Sequence, residues 1–112
     1  MAQKILLVSG GGGPFTIEGL VEHLKKVNYC VETTERLEEA LVTKEVDLII
    51  VWGPTRWYAS TIQKAREQGS KVPVIFIWTD WPPPKIGGLT LILQAPPLRS
   101  QLLVAIKQLL RM

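Results

Sequence analysis

The stretch VDLIIVWGPTRWYASTIQKAREQGSKVPVIFIW, residues 46–78, decides the fold. It opens on DLIIVW (47–52) and closes on VIFIW (74–78), two short apolar runs that are partly β-branched. Continuous hydrophobics of this length mark strands covered on both faces. Between them Tyr58, Ile62 and Ala65 share one helical stripe, and Gly69 is a stop signal. The spacing predicts a helix from about Arg56 to Gln68. A strand–helix–strand unit with short links calls for a right-handed crossover and parallel pairing.

The same rhythm extends in both directions. Upstream, KILLV (4–8) and YCVET (29–33) read as strands, the second more polar and alternating, as suits a sheet edge. A helix starts near Pro14 and buries Ile17, Leu20, Val21 and Leu24. A second follows Thr34, with Glu35 in its first turn and Leu37, Ala40 and Leu41 inward. Downstream, LTLIL (89–93) is a fifth strand, and a last helix after Pro96–Pro97 turns Leu102, Leu103, Ile106 and Leu110 inward. The alternation predicts an α/β sandwich of three layers. One interval breaks it. TDWPPPKIGG (79–88) holds three prolines and two glycines, so an ordinary helix does not fit and a stiff loop is expected.

Composition narrows the function classes. The chain has 112 residues, 46% apolar and 21% charged, which suits one domain spanning 1–112 with a core that needs no staples. Its net charge of +3 comes from scattered basic residues, so nucleic acid is not an expected partner. No apolar run reaches the ~18–20 residues of a membrane span, and a cytoplasmic location is expected. Cys30 is the single cysteine and cannot form an internal disulfide; buried packing on strand two is its expected role. Aspartate occurs only twice, at Asp47 and Asp80.

Three segments carry a resemblance over essentially the whole chain: LEEALVTKEVDLIIVW (37–52), IQKAREQGSKVPVIFIW (62–78) and LILQAPPLRSQLLVAIKQLL (91–110). Together they resemble a response-regulator receiver domain of two-component signal transduction, down to the proline after strand five, Pro96. The resemblance implies a flavodoxin-like three-layer sandwich with a parallel five-stranded sheet in the order 2-1-3-4-5. The family's fourth helix, between strands four and five, is expected to be missing or vestigial. The family's chemistry uses an acidic pair after strand one, an aspartate ending strand three, a small hydroxyl residue ending strand four and a lysine ending strand five. Here those places hold Ser9 and Gly10, Trp52, Trp78 with Thr79 one step on, and Ala95.

A hard dication needs oxygen ligands and an acyl phosphate needs a carboxylate; indole supplies neither. Asp47 lies at the far end of strand three, about 16 Å away at strand rise. Asp80, alone in a proline-rich loop, is a poor metal site. The resemblance therefore implies a degenerate pseudo-receiver with no catalytic residue, metal or cofactor. It is expected to work by constitutive contact with signalling proteins, with a homodimer among the expected states.

Other residues invite separate readings. Trp52, Trp57, Tyr58, Trp78 and Trp81 either plug the vacated pocket, form an aromatic recognition surface, or stack a small molecule. Arg56 beside Trp57 is either an interaction anchor or a solvated arginine. The loop Gly10, Gly11, Gly12 and Gly13 before Pro14 could cradle an anion, but lacks the dinucleotide and P-loop patterns. KILLVSGGGG and VDLIIVWGP (46–54) are also similar to a phosphotransferase-system IIB domain, with Ser9 where that family has its phosphate-bearing cysteine. His23, the one histidine, lies roughly 13 Å along helix one from Ser9, too far for a nucleophile–base pair.

Overall fold

The alternation of short apolar runs and amphipathic stretches becomes a sheet with helices on both faces. The structure is a computed structural model that describes residues 3–9, 20–34, 37–42, 46–52, 55–78, 90–94 and 99–110. In these residues the order is β1 (Lys4–Ser9), α1 (Leu20–Lys26), β2 (Cys30–Thr34), α2 (Leu37–Val42), β3 (Leu48–Trp52), α3 (Thr55–Glu67), β4 (Val74–Trp78), β5 (Thr90–Gln94) and α4 (Arg99–Leu110). The five strands form one sheet in the order β2-β1-β3-β4-β5, every pair parallel. The expected strand order is therefore the observed one. The interval 79–88, the expected start of α1 at Pro14 and Glu35 lie outside the described residues.

Strand alternation sorts the core into two layers. Leu6, Val8, Ile49, Val51, Val74 and Phe76 face Leu37, Ala40 and Leu41 of α2 and Tyr58, Ile62 and Ala65 of α3. Ile5, Leu7, Leu48, Ile50, Ile75 and Ile77 face Leu24 of α1 and Leu102, Ala105, Ile106 and Leu109 of α4. β3 and β4 are covered on both sides, which is why LIIVW (48–52) and VIFIW (74–78) read as unbroken apolar runs. Each fully buried Leu, Ile or Phe contributes about 1.5–3 kcal/mol.

Two inward assignments shift. In α4 the buried row is Leu102, Ala105, Ile106 and Leu109, a strict i, i+3, i+4, i+7 stripe, while Leu103 and Leu110 are half-buried at its flank. Cys30 is exposed rather than buried. It shares a row of β2 with Glu32, and that strand lies at the sheet's end, so the α2–α3 core stops at β1. His23, the one histidine, is half-buried.

Two helix ends explain the tight returns into the sheet. After α1, Asn28 takes a positive φ of 70°, its N–H donates to the Lys25 carbonyl at 3.1 Å, and Tyr29 N–H donates to the Leu24 carbonyl at 3.0 Å. After α3, Gly69 at φ 97° repeats the pattern: its N–H donates to Arg66 O at 3.1 Å, and Ser70 N–H to Ala65 O at 2.9 Å. Both are Schellman caps, which satisfy carbonyls that a helix end otherwise leaves orphaned. Gly69 is thus the stop its position suggested, and Asn28 is a second one.

Candidate functional site

In open α/β sheets, ligands bind outside the carboxyl ends of the strands, so the site is built around the end of the central strand β3. Register places Trp52 directly opposite Ser9 of β1 and Ile77 of β4. Positions 9 and 52 belong to the rows of Ile5 and Leu7 and of Leu48 and Ile50, which face the α1–α4 layer. The Trp52 side chain is half-buried and packs against that layer's core. Position 78 pairs with Gln94 of β5 and falls in the other row, that of Val74 and Phe76. Trp52 and Trp78 thus end neighbouring strands at register positions of opposite parity.

The remaining sequence candidates separate. Tyr58, named as an interaction residue, is only 8% exposed and sits within the α2–α3 core, so it is corrected to a core residue. The i, i+4, i+7 spacing of Tyr58, Ile62 and Ala65 causes this, because it turns all three toward the sheet. Arg56 and Trp57 lie in the first turn of α3, which begins at Thr55. Gly10, Gly11, Gly12, Gly13, Thr79, Trp81 and Ala95 lie outside the described residues.

The other end of β3 carries an acid, but in a structural role. Asp47 precedes the strand, where its Oδ2 accepts the Lys4 backbone N–H at 2.7 Å and its own N–H donates to the Lys4 carbonyl at 2.9 Å. This reciprocal pair fixes the β1–β3 register at the amino edge. Lys4 Nζ also meets Glu32 of β2 at 3.1 Å, so one residue ties β1 to both neighbours.

Sequence reasoning missed a polar junction at the same edge. Arg66 of α3 donates from Nε and Nη2 to Thr90 Oγ1 of β5 at 3.3 and 2.9 Å, and from Nη1 to the Ser70 carbonyl at 3.2 Å. Ser70 Oγ donates to the Leu41 carbonyl of α2 at 2.9 Å. Burial lowers the Arg66 pKa from its ordinary value, because the charged guanidinium loses water. The partners stand 24 and 29 residues apart, so no local pattern announces them.

Solved structures with the same architecture identify what this geometry belongs to. A response regulator from Thermotoga maritima aligns over 100% of this chain and 100% of its own, with a TM-score of 0.67 and 20% identity. A response regulator receiver protein from Sinorhizobium medicae WSM419 aligns over 98% of this chain and 95% of its own, with a TM-score of 0.65 and 20% identity. The fold is the receiver fold. A scan against protein-family models and a search of curated proteins find no match.

Magnesium, which phosphoryl chemistry on this fold employs, does not fit the residues described at the carboxyl end. Position 52 is an indole and position 9 a serine, whereas a hard dication wants carboxylate oxygens. Among the described residues no three His, Cys, Asp or Glu side chains come together as a metal site. Nor is any described helix long and apolar enough to cross a membrane.

Proposed function

We propose that this chain is a receiver-like signalling module that takes no phosphoryl group at the end of β3 and acts through protein contact. The observation that carries this reading is Trp52: an indole stands at the carboxyl end of the central strand, opposite Ser9, and packs against the α1–α4 core. Phosphoryl transfer to that position requires a carboxylate oxygen as nucleophile, and indole has neither a suitable lone pair nor a metal-binding atom.

Without that transfer, phosphate supplies no differential binding energy to two conformers, and no population shift follows. The module then binds constitutively, and its occupancy follows the concentration of its protein partner. Backbone amide spectra test this. Adding Mg²⁺ with beryllium fluoride, a mimic of the phosphoryl group, leaves the spectrum unchanged. Saturable shifts centred on Ser9, Trp52 and Trp78 would contradict the reading.

A further inference from the structure

We propose that the amino end of the sheet is a docking face for an acidic segment of a protein partner, held by Lys25, Lys26, Lys64, Lys71 and Lys107. These residues are scattered along the chain, and the topology gathers them. All five strands are parallel, so each helix returns against them and ends where the strands begin. Lys25 and Lys26 occupy the last turn of α1, Lys64 that of α3 and Lys107 that of α4. Lys71 follows α3 on the way into β4. All five are exposed. α1 and α4 lie on one side of the sheet and α3 on the other, so the lysines flank the strand starts on both faces.

Basic residues in a last turn complement the helix dipole. That accounts neither for Lys71, which lies beyond the helix, nor for the few acids nearby. Among the described residues at this end, Asp47 is engaged by the Lys4 N–H and Glu32 is paired with the Lys4 ammonium. The other carboxylate there is Glu67, at the end of α3. The first turns, at the opposite end, mix Glu38 and Glu39 of α2 with Arg56 of α3 and Arg99 of α4. Among the described residues one end is thus basic and the other mixed, an asymmetry that orients an approaching anion.

The partner's chemistry follows from what accompanies the lysines. Nucleic-acid surfaces add stacking aromatics or forked arginines. Among the described residues this end exposes no aromatic ring, and its arginine, Arg66, donates to Thr90 and Ser70. A membrane-binding face needs an apolar stripe. Here the large exposed apolar residue is Val27, at 49%, and one valine is no stripe. Separate hydrated ammonium groups, with Glu67 among them, suit the spaced carboxylates of an acidic protein segment. Such pairs steer and orient a partner more than they hold it.

This inference rests on the protein-contact part of the reading above and gives that contact a place. It fails separately from the phosphate part, because no lysine substitution touches the end of β3. The test titrates labelled poly-L-glutamate with the full chain and follows fluorescence anisotropy. Saturable binding is expected, weakening steeply between about 50 and about 300 mM salt. Lys25→Gln with Lys26→Gln, and Lys64→Gln with Lys71→Gln, each weaken it about three- to tenfold. Arg99→Glu removes the same amount of charge at the opposite end and changes binding less than about twofold. Circular dichroism confirms that each variant is folded. An equal loss from Arg99→Glu, or no saturable binding at the lowest salt, would overturn the proposal. So would tighter binding of single-stranded DNA or of phosphatidylserine vesicles at the same salt.

Discussion

The two ends of the central strand make opposite use of similar positions. At the amino end Asp47 stands before β3, exposed, and its carboxylate is spent on the Lys4 backbone. At the carboxyl end Trp52 closes the strand, half-buried, and its indole continues the α1–α4 core outward. In this fold the carboxyl end is where chemistry is placed and the amino end is where the sheet is secured. Here the acid is at the securing end and the hydrophobe at the end meant for chemistry. A carboxylate's effect is set by which end of the strand it stands on.

Substitution at the carboxyl end carries the larger expected effect. Trp52→Ala removes a half-buried indole from the edge of the α1–α4 core and costs about 2–4 kcal/mol, centred lower than the loss of about 3–5 kcal/mol for a wholly buried tryptophan. Urea denaturation measures it, and a loss under about 1 kcal/mol would mean that the indole is not part of the core. At the amino end Asp47→Ala leaves the Lys4 N–H to water and costs about 1 kcal/mol. A cost equal to that of Trp52→Ala would erase the contrast. Glu32→Gln is the smallest change, because the ion pair with Lys4 is on the surface; about 0–0.5 kcal/mol is expected, vanishing at high salt.

What the sequence made legible follows from locality. The β3–α3–β4 unit could be read because its strands are covered on both faces and its helix keeps one stripe, Tyr58–Ile62–Ala65. The Gly69 stop was equally local. Asn28 carries the same kind of signal, since asparagine after a helix's basic last turn tolerates a positive φ, and it could have been found. Cys30 was misplaced because alternation shows that a strand has two faces but not where the opposing helix layer ends. Tyr58 was read both as core and as interface. Only the packing of α3 on the sheet separates the two.

At the candidate site the sequence supplies the residue types and the structure supplies the pairing. That Trp52 takes the place of a phosphate-accepting carboxylate is what the resemblance implies; what the structure adds is the β1–β3 pairing that sets it opposite Ser9. That Trp52 and Trp78 fall in opposite rows could have been read from parity once the β3–β4 register was known. The Arg66–Thr90 and Ser70–Leu41 contacts depend on how α3 settles between α2 and β5, which no short pattern encodes.

The central claim is that the end of β3 takes no phosphoryl group. Its most direct test is the intact mass of the full chain after incubation with acetyl phosphate and Mg²⁺ at neutral pH. The account predicts an unchanged mass. A gain of one phosphoryl group, mapped by peptide analysis to the β1 or β3 carboxyl ends, would contradict it.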